Sequence, residues 1–178
     1  MNADKLRQAI ALGREQRGVE FKCAGKRTDN AFQEKVIRAI LGMANKPDGG
    51  MVIIGVDDAG SALHPTGLSA EELATWSYDD LASKVSTYAD PYVDFDVQVV
   101  SMDGASFVAI RVSEFDELPV ICKREYQGTL RNGGLYVRRR GKNETIKVPS
   151  HVEMREILQI VHHSFCRNML ARAAAIRC

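Results

Sequence analysis

The apolar positions of this chain change period several times, and each change marks an element. Residues 3 to 15 carry Leu6, Ile10 and Leu12 on a partial apolar face, which predicts a helix. From Val19 to Cys23 the period falls to two, the pattern of a strand with Val19 and Phe21 turned inward and Glu20 and Lys22 sharing the other face. Asp29 or Asn30 stands where a cap belongs, ahead of Phe32, Val36, Ile37, Ile40, Leu41 and Ala44 at helical spacing. That helix stops at ANKPDGG, where Pro47, Asp48 and two glycines force a turn. MVIIGV then reads as one continuous apolar strand, covered on both faces.

After the loop DDAGSALHPTG, Ser69 and Glu72 form a capping-box pair, opening a helix expected to run to about Tyr88. Alternation on both sides of Asp103-Gly104 predicts a hairpin. LPVICKREYQGTLRNGGLYVRRRGKNETIKV reads as two further strands with basic connections and a turn at Gly133-Gly134. Ser150 and Glu153 are a second capping-box pair, and a helix is expected from there to about Leu170, with NMLARAAAIRC favouring more helix. This order defines an α+β (mixed α/β) single domain, a central mixed sheet flanked by helices. Residues 1–156 are expected to form the domain and 157–178 a helical extension of it.

Composition narrows the class. With 178 residues, 45% apolar and 26% charged, the chain suits one soluble globular domain. No apolar run reaches the roughly 18 residues of a membrane span, and MNADKLRQAIALGRE carries charges where a signal peptide needs an apolar core. A cytoplasmic location without membrane partners is the expectation. Cys23, Cys122, Cys166 and Cys178 form no CxxC pair, which points to free thiols in a reducing compartment. The chain has neither GxxxxGK[ST] nor GxGxxG, so ATP and dinucleotide readings lack their mechanical parts.

A net charge of +1 conceals an asymmetry. From Asp57 to Glu117 thirteen acids face only Lys84 and Arg111, whereas from Leu118 to Ser150 eight Lys/Arg face only Glu125 and Glu144. Clustered cations attract phosphates, although pairing between the two segments would hide them. The candidate nucleic-acid contacts are Lys123, Arg124, Arg131, Arg138, Arg139, Arg140 and Lys142, with Tyr126 or Tyr136 for stacking. The plainer reading of LYVRRRGKNE is an edge strand studded with Arg against aggregation.

Two further features bear on chemistry. Glu15 lies five residues before Glu20 across a helix-to-strand turn, and two carboxylates held together in a cleft want a cation between them. Mg²⁺ or Mn²⁺ with oxygen ligands meets that need, and Lys22 beside them can orient an attacked phosphate. Taken alone, Glu20 and Lys22 are better explained by a solvated strand face. Asp57 and Asp58 close the apolar strand where sheet proteins commonly place their sites, though taken alone they are better explained by turn chemistry.

Together, Glu15 followed by Glu20-Phe21-Lys22, a helix ending GMANKPDGG, the strand MVIIGVDDAG and the late LYVRRRGKNE resemble the Schlafen-type AlbA_2 domain, over about Glu15 to Glu156. The resemblance implies a compact α/β domain and, in active members, metal-dependent endoribonuclease activity on structured RNA such as tRNA. It assigns the three acids to Glu15, Glu20 and either Asp57 or Asp58, with Mg²⁺ or Mn²⁺ as cofactor, and matches Lys22 to the family's lysine. ANKPDGG is one residue longer than the family's usual turn, and Gln16 replaces a frequent Ser. Vertebrate members fold two such lobes into one basic groove, so a single lobe implies a homodimer. The alternative is a non-catalytic module binding RNA or DNA, in regulation or defence.

Overall fold

The computed structural model describes residues 1–12, 16–58, 62–140, 142 and 144–175, and side chains as far as residue 169. The first part of the chain runs α1 (Ala3–Ala11), β1 (Val19–Lys22), α2 (Asn30–Ala44), β2 (Gly50–Ile54), β3 (Val56–Asp58) and β4 (Leu63–Pro65). The middle comprises α3 (Ala70–Ala74), α4 (Tyr78–Tyr88), β5 (Ala89–Asp90), β6 (Phe95–Met102) and β7 (Ala105–Val112). β8 (Ile121–Cys122), β9 (Gly134–Arg138), β10 (Thr145–Lys147) and α5 (His151–Ala175) complete it. This is an α+β domain, as the order of elements predicts.

From Val36 to Ala44 α2 is apolar on every side but for Arg38, and a helix segment of that kind must be buried all round. It lies between two sheets. β1, β2, β7 and β6 form a mixed sheet, with β1 parallel to β2 and the other pairs antiparallel. β10, β9, β8 and β5 form an antiparallel sheet, and β3 pairs with β4 in a separate ribbon. α2 packs on β2 and β7 on one side and on β9 and β10 on the other, while α1 covers β6. Asn45, which ends α2, ties it to the second sheet: Nδ2 donates to Val120 O at 2.7 Å and Tyr136 O at 3.0 Å, and Oδ1 accepts from Val120 N at 2.8 Å.

Alternation in β2 splits the core. Val52 and Ile54 join the large cluster around α2, while Ile53 joins Leu6, Phe21 and Phe107 beneath α1. In register, Glu20 lies beside Val52, Phe21 beside Ile53 and Lys22 beside Ile54. Neighbours across a sheet share a face, so Val19 and Phe21 pack inward as expected. Glu20 and Lys22, however, face the space between the sheets, and Glu20 is only 5% exposed. The solvated-face reading of that strand is therefore wrong.

Four boundaries also differ from the sequence pattern. α1 ends at Ala11. MVIIGV is two strands, because Gly55 takes φ 104° and its position leaves no room for a Cβ, which would lie 2.8 Å from Leu68 Cδ1. The bend sends Asp57 and Asp58 out of the sheet into the ribbon. The helix from Ser69 breaks at Trp76, whose indole is drawn inward to donate to Gly25 O at 3.0 Å and to meet Phe32 edge-on, and Ser77 caps α4 afresh. The late basic segment forms three short strands rather than two, since β10 pairs back onto β9.

One end of α2 buries an acid. Glu34 Oε1 accepts from the Tyr88 hydroxyl at 2.6 Å, with Lys84 at 3.7 Å, while Oε2 is buried with no partner among the described residues. Burial raises the pKa of this carboxyl, against the lowering pull of Tyr88 and Lys84. The folded state therefore holds the proton more tightly than the unfolded one. The stability this supplies is complete below the unfolded value of about 4.3 and is lost as pH rises through the higher folded value. Glu34→Gln keeps the shape and removes the titration, so its urea midpoint should lack that decline. Parallel declines in both proteins would contradict the assignment.

Candidate active-site cleft

Glu20 sits at the seam between the two sheets, and three side chains converge on it. Oε1 accepts from the Lys22 ammonium at 2.5 Å, while Oε2 accepts from Arg138 Nη1 at 2.9 Å and Thr145 Oγ1 at 2.7 Å. Arg138 is 1% exposed and also donates to Val19 O, in the first residue of β1, at 3.2 Å and to Gln16 O, in the turn before it, at 3.3 Å. It thus fastens the end of β9 to the start of β1. Thr145 reaches Glu20 because α2 presents Gly42 beneath it: a Cβ there would lie 2.4 Å from Thr145 Cγ2.

In front of this network opens a cleft of about 440 Å³, lined by Glu20, Lys22, Arg38, Asp58, Glu144 and Thr145 among others. Successive residues of a strand point to opposite faces, so only one of the two aspartates can line it. That one is Asp58; Asp57 lies opposite His64 in the ribbon and does not line the cleft. The structure therefore brings together Glu20, Lys22 and Asp58, while Glu15 lies outside the described residues.

As a donor set for a hard divalent cation the chemistry fits: Glu20 and Asp58 offer only oxygens, and an ammonium already lies 2.5 Å from Glu20 Oε1, where positive charge is wanted. Among the described residues no group of three or more His, Cys, Asp or Glu is arranged to hold a metal.

The basic candidates divide. Arg138 is not a surface group at all, because its guanidinium is spent on Glu20 and the backbone; the expectation that it offers charge to a polyanion is corrected by its burial. Arg139 pairs with Glu144 at 3.1 Å and Arg140 with Glu156 at 3.1 Å. Arg17 also pairs with Glu156. Burial raises the Glu156 pKa, but the hydrogen bonds from Arg17 and Arg140 outweigh it and leave the carboxyl below its usual value. Lys142 is exposed near this end of β9, whereas the exposed Lys123, Arg124 and Arg131 flank its other end, at Gly134. Among the described residues, the ion pairs of Arg138, Arg139 and Arg140 go to Glu20, Glu144 and Glu156, not to the acidic segment.

Sequence reading missed Thr145, Glu144 and Arg38. Only Arg38 left a trace there, as a lone cation in the apolar run VIRAIL.

Fold and cleft together define an α+β domain with acids and cations interleaved at the seam of two sheets. Residues 15–147 match the family model described as Schlafen, AlbA_2, and the chain belongs to that family. Among solved structures it is similar to the DIP2311 protein of Corynebacterium diphtheriae, at 18% identity and TM-score 0.50, covering 82% of this chain but 26% of that one. It is also similar to the N-terminal domain of a putative ATP-dependent DNA helicase RecG-related protein of Nitrosomonas europaea, at 21% identity and TM-score 0.56, covering 85% and 96%. These two likenesses show the fold alone. No curated protein matches the chain in sequence.

Removing the Arg138 guanidinium while Glu20 stays buried should cost about 3–5 kcal/mol. Arg138→Met should therefore lower the urea midpoint sharply, and Glu20→Leu/Arg138→Met by less than the sum of the single changes. Strict additivity would show that the pair is not coupled. Helix propensity favours Gly42→Ala by up to about 1 kcal/mol, yet the crowding against Thr145 should make it destabilising by about 1–3 kcal/mol. Gly18→Ala, with Lys46 Cε 3.9 Å from the added Cβ, is the near-neutral control.

Proposed function

We propose that this protein is a Mg²⁺- or Mn²⁺-dependent endoribonuclease acting on structured, tRNA-like RNA. The observation that carries the reading is the meeting of Glu20, Lys22 and Asp58 at one open cleft in a Schlafen AlbA_2 chain. Glu20 and Asp58, with Glu15, would hold the cation. When bound, it supplies Lewis acidity at the scissile phosphate and lowers the pKa of the attacking water. Lys22, released from Glu20, would orient a phosphate oxygen and offset the charge that develops on it. Arg138 and Thr145 position Glu20 without touching substrate. Arg139, Arg140 and Lys142 would follow the backbone on one side of the cleft, and Lys123, Arg124 and Arg131 on a more distant stretch. Folded RNA is recognised largely through shape and backbone, which suits such scattered cations. A homodimer, pairing two clefts, is the assembly we propose for it.

One observation favours a second reading. Both oxygens of Glu20 already have partners, so the acid can be wholly structural and the domain a non-catalytic nucleic-acid binder. The similarity to a domain of a DNA helicase-related protein keeps DNA among the ligands to try. Purified protein incubated with tRNA and Mn²⁺ separates the two. Cleavage that EDTA abolishes and Asp58→Asn reduces at least about a hundredfold supports the nuclease. Asp58 is exposed, so this variant is expected to fold. RNA that is shifted on a gel but left intact supports the binder.

A further inference from the structure

One cation interrupts the buried length of α2. Arg38 stands between Ile37 and Ala39, both fully buried, and its side chain lines the cleft beside Glu20, Lys22 and Asp58. Its Nε is buried and has no hydrogen-bond partner among the described residues. Among the described residues its guanidinium forms no ion pair. Of the carboxylates that line the cleft with it, Glu20 is engaged by Lys22 and Arg138, and Glu144 by Arg139.

A guanidinium cannot shed its charge near neutral pH, so the group stays cationic where it is partly withdrawn from water. An unpaired charge in that position is costly, and nothing in the packing of α2 requires one. An anion entering the cleft would relieve the cost. The planar fork of N–H groups matches a phosphate through two parallel hydrogen bonds, and the cleft is open enough for a chain to pass. Lys22 serves Glu20 at one wall; among the described residues Arg38, on α2, pairs with none of the acids.

We propose that Arg38 is a phosphodiester anchor of the cleft, gripping the nucleic-acid backbone next to the position of Lys22 and Asp58. The proposal rests on reading the cleft as a nucleic-acid site but not on that site being catalytic. Arg38 therefore acts in binding, with or without a metal.

The test is fluorescence anisotropy of the full chain with a labelled RNA hairpin and a DNA hairpin of the same sequence, in EDTA so that no cleavage intervenes, across a salt series. Arg38→Gln should weaken binding roughly tenfold or more, and should reduce the slope of log affinity against log salt by about one contact. Arg38→Lys, which keeps the charge but loses the fork, should fall between. The same Arg38→Gln protein should have a urea midpoint equal to or above that of the wild type, because an unpaired cation has been removed. Wild-type affinity and slope in Arg38→Gln would overturn the anchor while leaving the nuclease reading to the Mn²⁺ assay. Failure of the wild-type chain to bind either hairpin would overturn the anchor and again leave the nuclease reading to the Mn²⁺ assay. Tight binding lost in Arg38→Gln, with no cleavage in Mn²⁺, would support the anchor and sink the nuclease.

Discussion

The Glu20–Arg138 pair joins the first strand of one sheet to the end of β9 in the other. Both groups are almost wholly buried, and each offsets the cost of withdrawing the other's charge from water. Around this pair the rest is arranged. Arg138 also holds carbonyls at the start of β1 and in the turn before it, Thr145 completes the coordination of Glu20, and Gly42 opens the space in α2 that lets Thr145 arrive. An apolar pair could fill the same seam with equal stability. That a charged pair stands there, at the floor of an open cleft, orients a carboxylate toward whatever enters.

Charge is distributed unevenly about that cleft. Its acids come from β1, β3 and the segment before β10, and its cations from β1 and α2. The Arg-rich run after β9 contributes less free charge than its length suggests: Arg138 is buried, and Arg139 and Arg140 are each met by a glutamate. Those last two pairs are partly exposed, and pairs of that kind contribute little and yield readily to a polyanion. Lys123, Arg124 and Arg131 lie beyond the other end of β9, so the basic segment presents two separate patches.

α5 belongs to the same packing through its first half. Ile157 and Ile160 enter the core around α2, and Glu156 receives Arg17 and Arg140, binding the helix to both the turn before β1 and the run after β9. Farther along, Phe165 and Met169 are exposed. The family match ends at residue 147, but the core extends beyond it.

Much of the architecture follows from local pattern: the buried α2, the hairpin at Asp103-Gly104, a cap at Asp29 or Asn30 and the α+β class are all written in period and capping chemistry, and the structure places the cap at Asp29. Candidate residues were legible for the same reason, since Glu20, Lys22 and the Asp pair stand at strand positions that any alternation count identifies. What sequence could not supply was that the Glu20 and Lys22 face of β1 is covered as well as the Val19 and Phe21 face, because that cover is a second sheet built from distant segments. Nor could it separate Asp58 from Asp57, a choice made by the Gly55 bend, or mark Arg138 as structural, since that depends on a partner over a hundred residues away. Periodicity records contacts along the chain; the Glu20–Arg138 seam, Gly42 beneath Thr145 and the lone guanidinium of Arg38 exist only where distant segments are brought together.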